Sequence, residues 1–294
     1  MEMGSTESAK ALLRTVSCFA VILMMTGCVG RMVYYPDHVE YQTPENNNLS
    51  YEDVLFKSGD GTVLNGWFVP AAGQAMGTVI HFHGNAQNMS AHFSFVDWLP
   101  ENGYNLFTFD YRGYGKSDGH PTRKGVYEDC VAAMNYIQTR TDIDQTKLFV
   151  LGQSLGAANA INLLGKNRLE GVQAIIADSS FFSYRSIVRD KIREIPIISF
   201  LNWPLSFLVI GNSESPGTVV DRISPVPIVF IHGTADEVIP VHHTKWLYEN
   251  ANPPKSIWII SEGRHMDALG KERNTYIKRL LAFFDNPAGG NNEK

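Results

Sequence analysis

The sequence predicts one α/β domain built on a mostly parallel sheet with helices on both faces. Short apolar runs rich in Val, Ile and Phe alternate with helix-length segments, and the composition supplies one large core. The 294 residues are 44% hydrophobic and 19% charged, values of a folded chain and not of a disordered one. Lys and Arg number 25 against 30 Asp and Glu, a net −5 with no basic stripe, so no nucleic-acid partner is expected. Three cysteines make no disulfide framework and no Cys/His cluster points to zinc. No metal or organic cofactor is expected.

Along the chain, Lys10 and Arg14 precede an uncharged apolar run from Thr15 to Gly30, shorter than the about 20 residues a spanning helix needs. A signal peptide over 1–27 fits it better, and the alternative is an uncleaved anchor. Residues 28–50 read as a linker, 51–286 as the domain and 287–294 as a polar tail. Tyr51–Phe56 and Leu64–Val69 flank Gly59-Asp60-Gly61, a hairpin that supplies an antiparallel edge. The buried strands follow at Thr78–Phe82, Asn105–Phe109, Leu148–Leu151, Val172–Ala177, Ile228–Ile231 and Ser256–Ile260. Helices are expected near Ser90–Glu101, Thr122–Thr139, Leu155–Lys166, Val241–Asn250 and Glu272–Phe284. Cys130 falls inside the second of these and reads as a small buried residue.

Two segments match G-x-S-x-G. Gly115-Lys116-Ser117-Asp118-Gly119 lies in a glycine-rich loop with no strand running into it, and Asp110 stands where a Walker loop needs glycine. Gly152-Gln153-Ser154-Leu155-Gly156 follows the strand Leu148–Leu151 and opens a small-residue helix, the context a nucleophile elbow requires. Ser154 is the candidate nucleophile. A serine hydroxyl needs a base and the base an orienting carboxylate. Downstream strands run into Asp236 and then His265, and functional groups of open α/β sheets gather beyond the carboxyl ends of strands. Glu237 and Asp178 are rivals of Asp236 for the acid.

His81-Phe82-His83-Gly84-Asn85-Ala86, Asp110-Tyr111-Arg112-Gly113-Tyr114-Gly115, the Ser154 segment, His232-Gly233-Thr234-Ala235-Asp236 and Gly263-Arg264-His265 resemble the serine hydrolases of the α/β-hydrolase superfamily. The likeness is greatest to the ABHD-type subgroup, grouped with prolyl-oligopeptidase-like catalytic domains. The resemblance implies the α/β-hydrolase fold, a Ser154–Asp236–His265 triad, and an oxyanion hole from the backbone N–H groups of Asn85 and Leu155. The side chains at 85 and 155 would then matter little. His81 and His83 would support the turn, and Tyr111 to Gly115 would form a structural loop beside the site. The implied substrate is a carboxylic ester or thioester with an apolar acyl group. An amidase or small peptidase, and a catalytically silent binding module, remain open. Met25-Thr26-Gly27-Cys28 resembles the lipobox of bacterial lipoproteins, with Met25 in place of the usual Leu. It implies lipidation of Cys28, a membrane partner through that lipid, and a place in the bacterial cell envelope.

An insertion over about 180–222 replaces the single helix a minimal sheet would need. Its middle, Ile195 to Ser213, is uncharged, but Pro196, Pro204 and a central Asn202 argue against a membrane span. It is expected as a cap above Ser154, with Phe200, Trp203 and Phe207, and Leu201, Leu205 and Leu208 beside them, lining an acyl pocket. An ordinary core helix is the alternative.

Overall fold

The structure is a computed structural model and describes residues 33–289. The expected signal peptide, Cys28 and all but the start of the polar tail lie outside the described residues. Eight strands form one sheet: β1 (Glu52–Lys57), β2 (Val63–Val69), β3 (Gly77–Phe82), β4 (Tyr104–Phe109), β5 (Leu148–Gln153), β6 (Val172–Asp178), β7 (Ile228–Gly233) and β8 (Lys255–Ile260). Their order across the sheet is β1-β2-β4-β3-β5-β6-β7-β8. β1, β2 and β4 pair antiparallel in turn, and every other neighbouring pair is parallel.

Alternation along the strands explains why both faces need cover. Ile80, Phe107, Val150, Ile175 and Phe230 join the core on one face, and their neighbours Val79, Leu106, Leu151, Ile176 and Ile231 join the core on the other. Helices α1 (Arg123–Thr139) and α2 (Leu155–Lys166) cover the first face, burying Val126, Met134, Ile137 and Ile161. Fully buried Cys130 packs in the same core. Helix α5 (Arg273–Asp285) covers the second face with Tyr276, Leu280, Phe283 and Phe284. Thr122 caps α1 by accepting from the Gly125 amide at 3.0 Å.

Three regions differ from the expectation. The helix expected over Ser90–Glu101 is instead an α turn at Met89–His92 with 3-10 turns at Phe93–Phe95 and Pro100–Asn102. Met89, Phe93, Val96, Trp98 and Leu99 are all buried, a set wider than one face of a continuous helix, and Pro100 supplies no N–H. The linker residues from Val33 onward pack on the domain. Tyr34 is 3% exposed, Tyr35–Pro36 pairs parallel with Ala86–Gln87, and the Asn88 side chain donates to the Val39 carbonyl at 2.7 Å. The insertion forms α3 (Tyr184–Arg193) and α4 (Asn202–Val209), two short helices packed on each other. Among the described residues no helix is long and apolar enough to cross a membrane.

Candidate active site

Ser154 stands between the end of β5 and the start of α2, with φ 53° and ψ −115°. A non-glycine residue rarely holds that conformation, and its surroundings enforce it. A Cβ at 152 would lie 2.6 Å from the Ala157 Cα, and one at 156 would collide with the Phe82 carbonyl, so only glycine fits on either side. The turn points the Ser154 side chain away from its own helix's ladder and puts it at the positive end of α2. The other matching serine is spent on structure. Ser117 Oγ donates to the Asp110 carbonyl at 2.7 Å and accepts from the Asn65 amide at 2.9 Å.

Asp236 and His265, from the loops after β7 and β8, meet at 2.7 Å between Oδ2 and Nδ1. The other oxygen, Oδ1, accepts from the amides of Val238 and Ile239, both at 2.8 Å. A residue with no role in the sequence reading completes the set: His232, fully buried, places Nε2 at 3.1 Å from Asp236 Oδ2 and 2.7 Å from the Ile239 carbonyl. Both neighbours are acceptors, so Nε2 carries the proton and Nδ1 accepts from Thr244 Oγ1 at 2.7 Å. Burial opposes ionisation of Asp236, but the hydrogen bonds from His232 and His265 and the Ile239 amide outweigh it. They hold the carboxyl well below the usual carboxylate range.

The rival acids are placed elsewhere. Glu237 is exposed. Asp178 is buried among neutral donors, accepting from Ser179 Oγ at 2.9 Å and Gln153 Nε2 at 3.3 Å, and burial pushes its carboxyl up. It contributes its backbone, since the Ser154 amide donates to the Asp178 carbonyl at 2.8 Å. The next residue, Ser179, accepts from the Met266 amide through Oγ at 3.1 Å, which fastens the His265 loop beside the elbow. Among the described residues, Ser154 Oγ and His265 make no hydrogen bond with each other in this structure, whereas His265 and Asp236 do. Such contacts tighten when substrate excludes water.

The turn after β3 is held from below. Buried His81 bridges Thr108 Oγ1 and Gln153 Oε1 at 3.1 and 3.2 Å, and burial drives its pKa well below the ordinary value. The Tyr111 hydroxyl donates to the His83 carbonyl at 3.1 Å. The Asn85 side chain has a larger part than expected. Its Oδ1 accepts from the Tyr114 hydroxyl at 2.9 Å and the Tyr35 amide at 3.2 Å, and its Nδ2 donates to the Val33 carbonyl at 2.6 Å. That leaves the Asn85 amide with no backbone partner among the described residues. The Leu155 amide is the first of its helix and has no intrahelical acceptor.

A cavity of about 460 Å³ opens on Ser154, Leu155 and Asn85. Its apolar walls come from α3 through Ile187, Val188 and Ile192, from Val209 and Ile210 of the cap, and from Val33. The expected lining by Phe200, Trp203 and Phe207 is corrected: they are 75%, 53% and 55% exposed and do not line it. Leu201, Leu205 and Leu208 are likewise absent from the lining. The reason is the packing of the cap. α4 buries only Ser206, a small residue that lets the helices approach, which turns its bulky rings outward. The spacing of Tyr184, Ile187, Val188 and Ile192 in the sequence, one apolar stripe on an otherwise charged helix, was the signal for the true wall.

A second polar cluster lies under the cap. Asp190 Oδ2 is 2.8 Å from His242 Nε2 and 3.0 Å from His243 Nε2. The Phe182 amide donates to His243 Nδ1 at 3.1 Å, so His243 Nε2 keeps its proton and acts here as a donor to Asp190, not as a metal ligand.

Comparison with known proteins follows this geometry. Residues 73–210 match the hydrolase family model described as "Serine aminopeptidase, S33". The chain is 40% identical to the "uncharacterized protein YfhR" of Escherichia coli over 255 residues, 85% of each chain. It is 32% identical to the "alpha/beta hydrolase domain-containing protein WAV2" of Arabidopsis thaliana, over 83% of this chain and 81% of that one. The chain belongs to the α/β-hydrolase superfamily. An esterase from Pyrococcus furiosus shares the hydrolase's fold, with a TM-score of 0.70 at 24% identity, covering 87% of this chain and 98% of that one. The mostly parallel central sheet with helices on both faces belongs to that architecture.

Proposed function

We propose that this hydrolase cleaves carboxylic esters or thioesters of apolar acyl groups through Ser154, His265 and Asp236. The apolar cavity opening on Ser154 carries the reading: its volume suits one acyl group, and its walls would hold a chain while the carbonyl sits at the elbow. Ser154 Oγ attacks the carbonyl carbon and His265 Nε2 takes its proton. Asp236 holds the imidazole and stabilises its positive charge. The backbone N–H groups of Asn85 and Leu155 receive the oxyanion, each contributing about 3 kcal/mol to the transition state. His265 then protonates the departing oxygen or sulfur, and water repeats the steps on the acyl-enzyme. A fluorophosphonate probe is expected to label the wild type and not Ser154→Ala. Equal labelling, or none of either, would overturn the nucleophile, and the latter result would favour a silent binding module.

The family model's description raises a second reading, an aminopeptidase. Such an enzyme needs a carboxylate to hold the substrate's amino group, and the described lining contains Lys191 but no Asp or Glu. Hydrolysis of p-nitrophenyl butyrate without hydrolysis of aminoacyl anilides is the expected outcome. Chain length gives a further prediction. Ile187→Trp, which fills the cavity, should lower kcat/KM for an octanoyl ester about tenfold or more while leaving an acetyl ester nearly unchanged, since each buried CH₂ is worth about 0.8 kcal/mol. Trp203→Ala and Phe207→Ala, outside the cavity, should leave the preference among soluble esters intact.

We also infer that the mature chain starts at a lipidated Cys28, in the bacterial cell envelope. The short apolar run ending at Met25-Thr26-Gly27-Cys28 supports this. Intact mass of membrane-extracted protein is expected to show loss of 1–27 and gain of a lipid; an unmodified Met1 start would contradict it.

A further inference from the structure

The cap's outer face carries a cost that its fold does not explain. Ile197, Phe200 and Leu208 are 85%, 75% and 69% exposed, and Ile195, Trp203 and Phe207 about half so. Six large apolar side chains within fourteen residues are thus exposed, Trp203 and Phe207 stacked on each other, an arrangement that water alone would penalise. Cations are interleaved with them. The Arg189 guanidinium lies 3.7 Å from the Trp203 ring centroid and that of Arg185 lies 4.0 Å from Phe207. Over 184–194 four cations face two carboxylates: Lys191 pairs with Glu194 at 2.8 Å and Arg193 lies 3.4 Å from Asp190, which leaves Arg185 and Arg189 with no carboxylate partner among the described residues. Asp190 is itself taken up by His242 and His243. A cationic segment is thus set in a chain of net charge −5.

From this we propose that the cap's outer face docks on an anionic phospholipid bilayer, with the rings among the acyl chains and the guanidiniums at the headgroups. Aromatic rings with Arg beside them are the chemistry of a membrane interface. Charge decides between lipid and a second copy, because two copies meeting through this face would bring like charges together. Position supports the same occupant. Lys191 and Ile195 belong both to this segment and to the lining of the cavity, so docking would bring the cavity close to the lipid. Val33, which also lines the cavity, begins three residues after the uncharged run Thr15–Gly30 ends. If Cys28 carries a lipid, as proposed above, the five residues to Val33 span at most about 18 Å, short enough to keep this side of the molecule at the surface.

The test uses the full chain reconstituted in phosphatidylcholine vesicles containing phosphatidylglycerol, with bromine on the acyl chains as a short-range quencher of tryptophan. Quenching is expected in the wild type, and Trp203→Phe should remove about half of it or more, because the other tryptophans are buried or outside the patch. Arg185→Glu with Arg189→Glu should reduce quenching to a similar degree, as should replacing phosphatidylglycerol by phosphatidylcholine. Equal quenching of wild type and Trp203→Phe would overturn the docking face, whatever its cause. Fluorophosphonate labelling of the same samples reports on Ser154 separately. Labelled but unquenched protein would sink the docking and leave the esterase reading standing, and quenched but unlabelled protein would do the reverse.

Discussion

Asp236→Asn is expected to keep the fold and lower kcat for a soluble ester about ten-thousand-fold. The aspartate's two oxygens are fully used, one on His265 and His232 and the other on the Val238 and Ile239 amides. An amide at this position has one oxygen and an NH₂ group. If the oxygen stays on the two backbone amides, the NH₂ faces two imidazoles that both present N–H, and His265 must change tautomer. The base would then hold its proton on the nitrogen that should accept from Ser154. Asp178→Asn should cost less than about tenfold, because its carboxylate touches Gln153 and Ser179 and not His265. Comparable losses in the two variants would overturn the assignment. Asp236 also links the site to stability. Its folded-state pKa lies below the unfolded value, so its contribution is present above about pH 4 and is lost as pH falls further. Acid unfolding of Asp236→Asn should therefore depend less steeply on pH than that of the wild type.

Asp129→Ala is expected to destabilise the protein by about 3–5 kcal/mol and to lower its melting temperature by roughly 10 °C. Asp129 is fully buried and holds the Arg112 guanidinium at 2.8 and 3.0 Å, as well as the Arg112 amide at 2.9 Å. Removing it takes the one fully buried carboxylate from a charge whose side chain is 9% exposed, leaving the more exposed Asp60 and Glu128, at 2.8 and 3.8 Å, and Ser58 as partners. Arg112 sits between Tyr111, which donates to the His83 carbonyl, and the Gly113-Tyr114 turn, which holds Asn85. Loss of the ion pair should thus loosen the turn that would offer the Asn85 amide, and lower activity below the unfolding temperature as well. Replacing both partners, Arg112→Met with Asp129→Leu, should restore part of the stability, since no buried charge is then left without a partner and Asp60, half-exposed, stays solvated. Urea or thermal unfolding of the three proteins checks the order.

Much of the site was legible because buried parallel strands leave an unmistakable trace. Both faces of β5 and β7 are buried and so apolar, and β8, at the sheet's edge, is still apolar enough to appear as a short run; the polar residues just past each fall on the sheet's carboxyl edge. The candidates Ser154, Asp236 and His265 were picked out that way, and the glycines at 152 and 156 marked the tight turn. His232 was not, because a histidine inside a strand looks the same whether it fills space or donates to a carboxylate. Only the return of the chain at Ile239 and Thr244 gives its ring two partners.

By itself, then, the sequence determined the sheet, the order of its elements, and which side chains stand at the strand ends. Each of those is a local property of apolar periodicity and glycine placement. The tertiary structure alone decided the direction of the cap's aromatics and the place of the N-terminal segment. Helix α4 is apolar nearly all round and has no charged face to orient it. Its orientation came from Ser206, the one position small enough for close contact. Residues 33–36 carry no periodic pattern, and Tyr34 is buried against Tyr184, 150 positions away, with their hydroxyls 3.4 Å apart. Such contacts depend on surfaces that exist only after the domain has closed, and no window of sequence contains both halves.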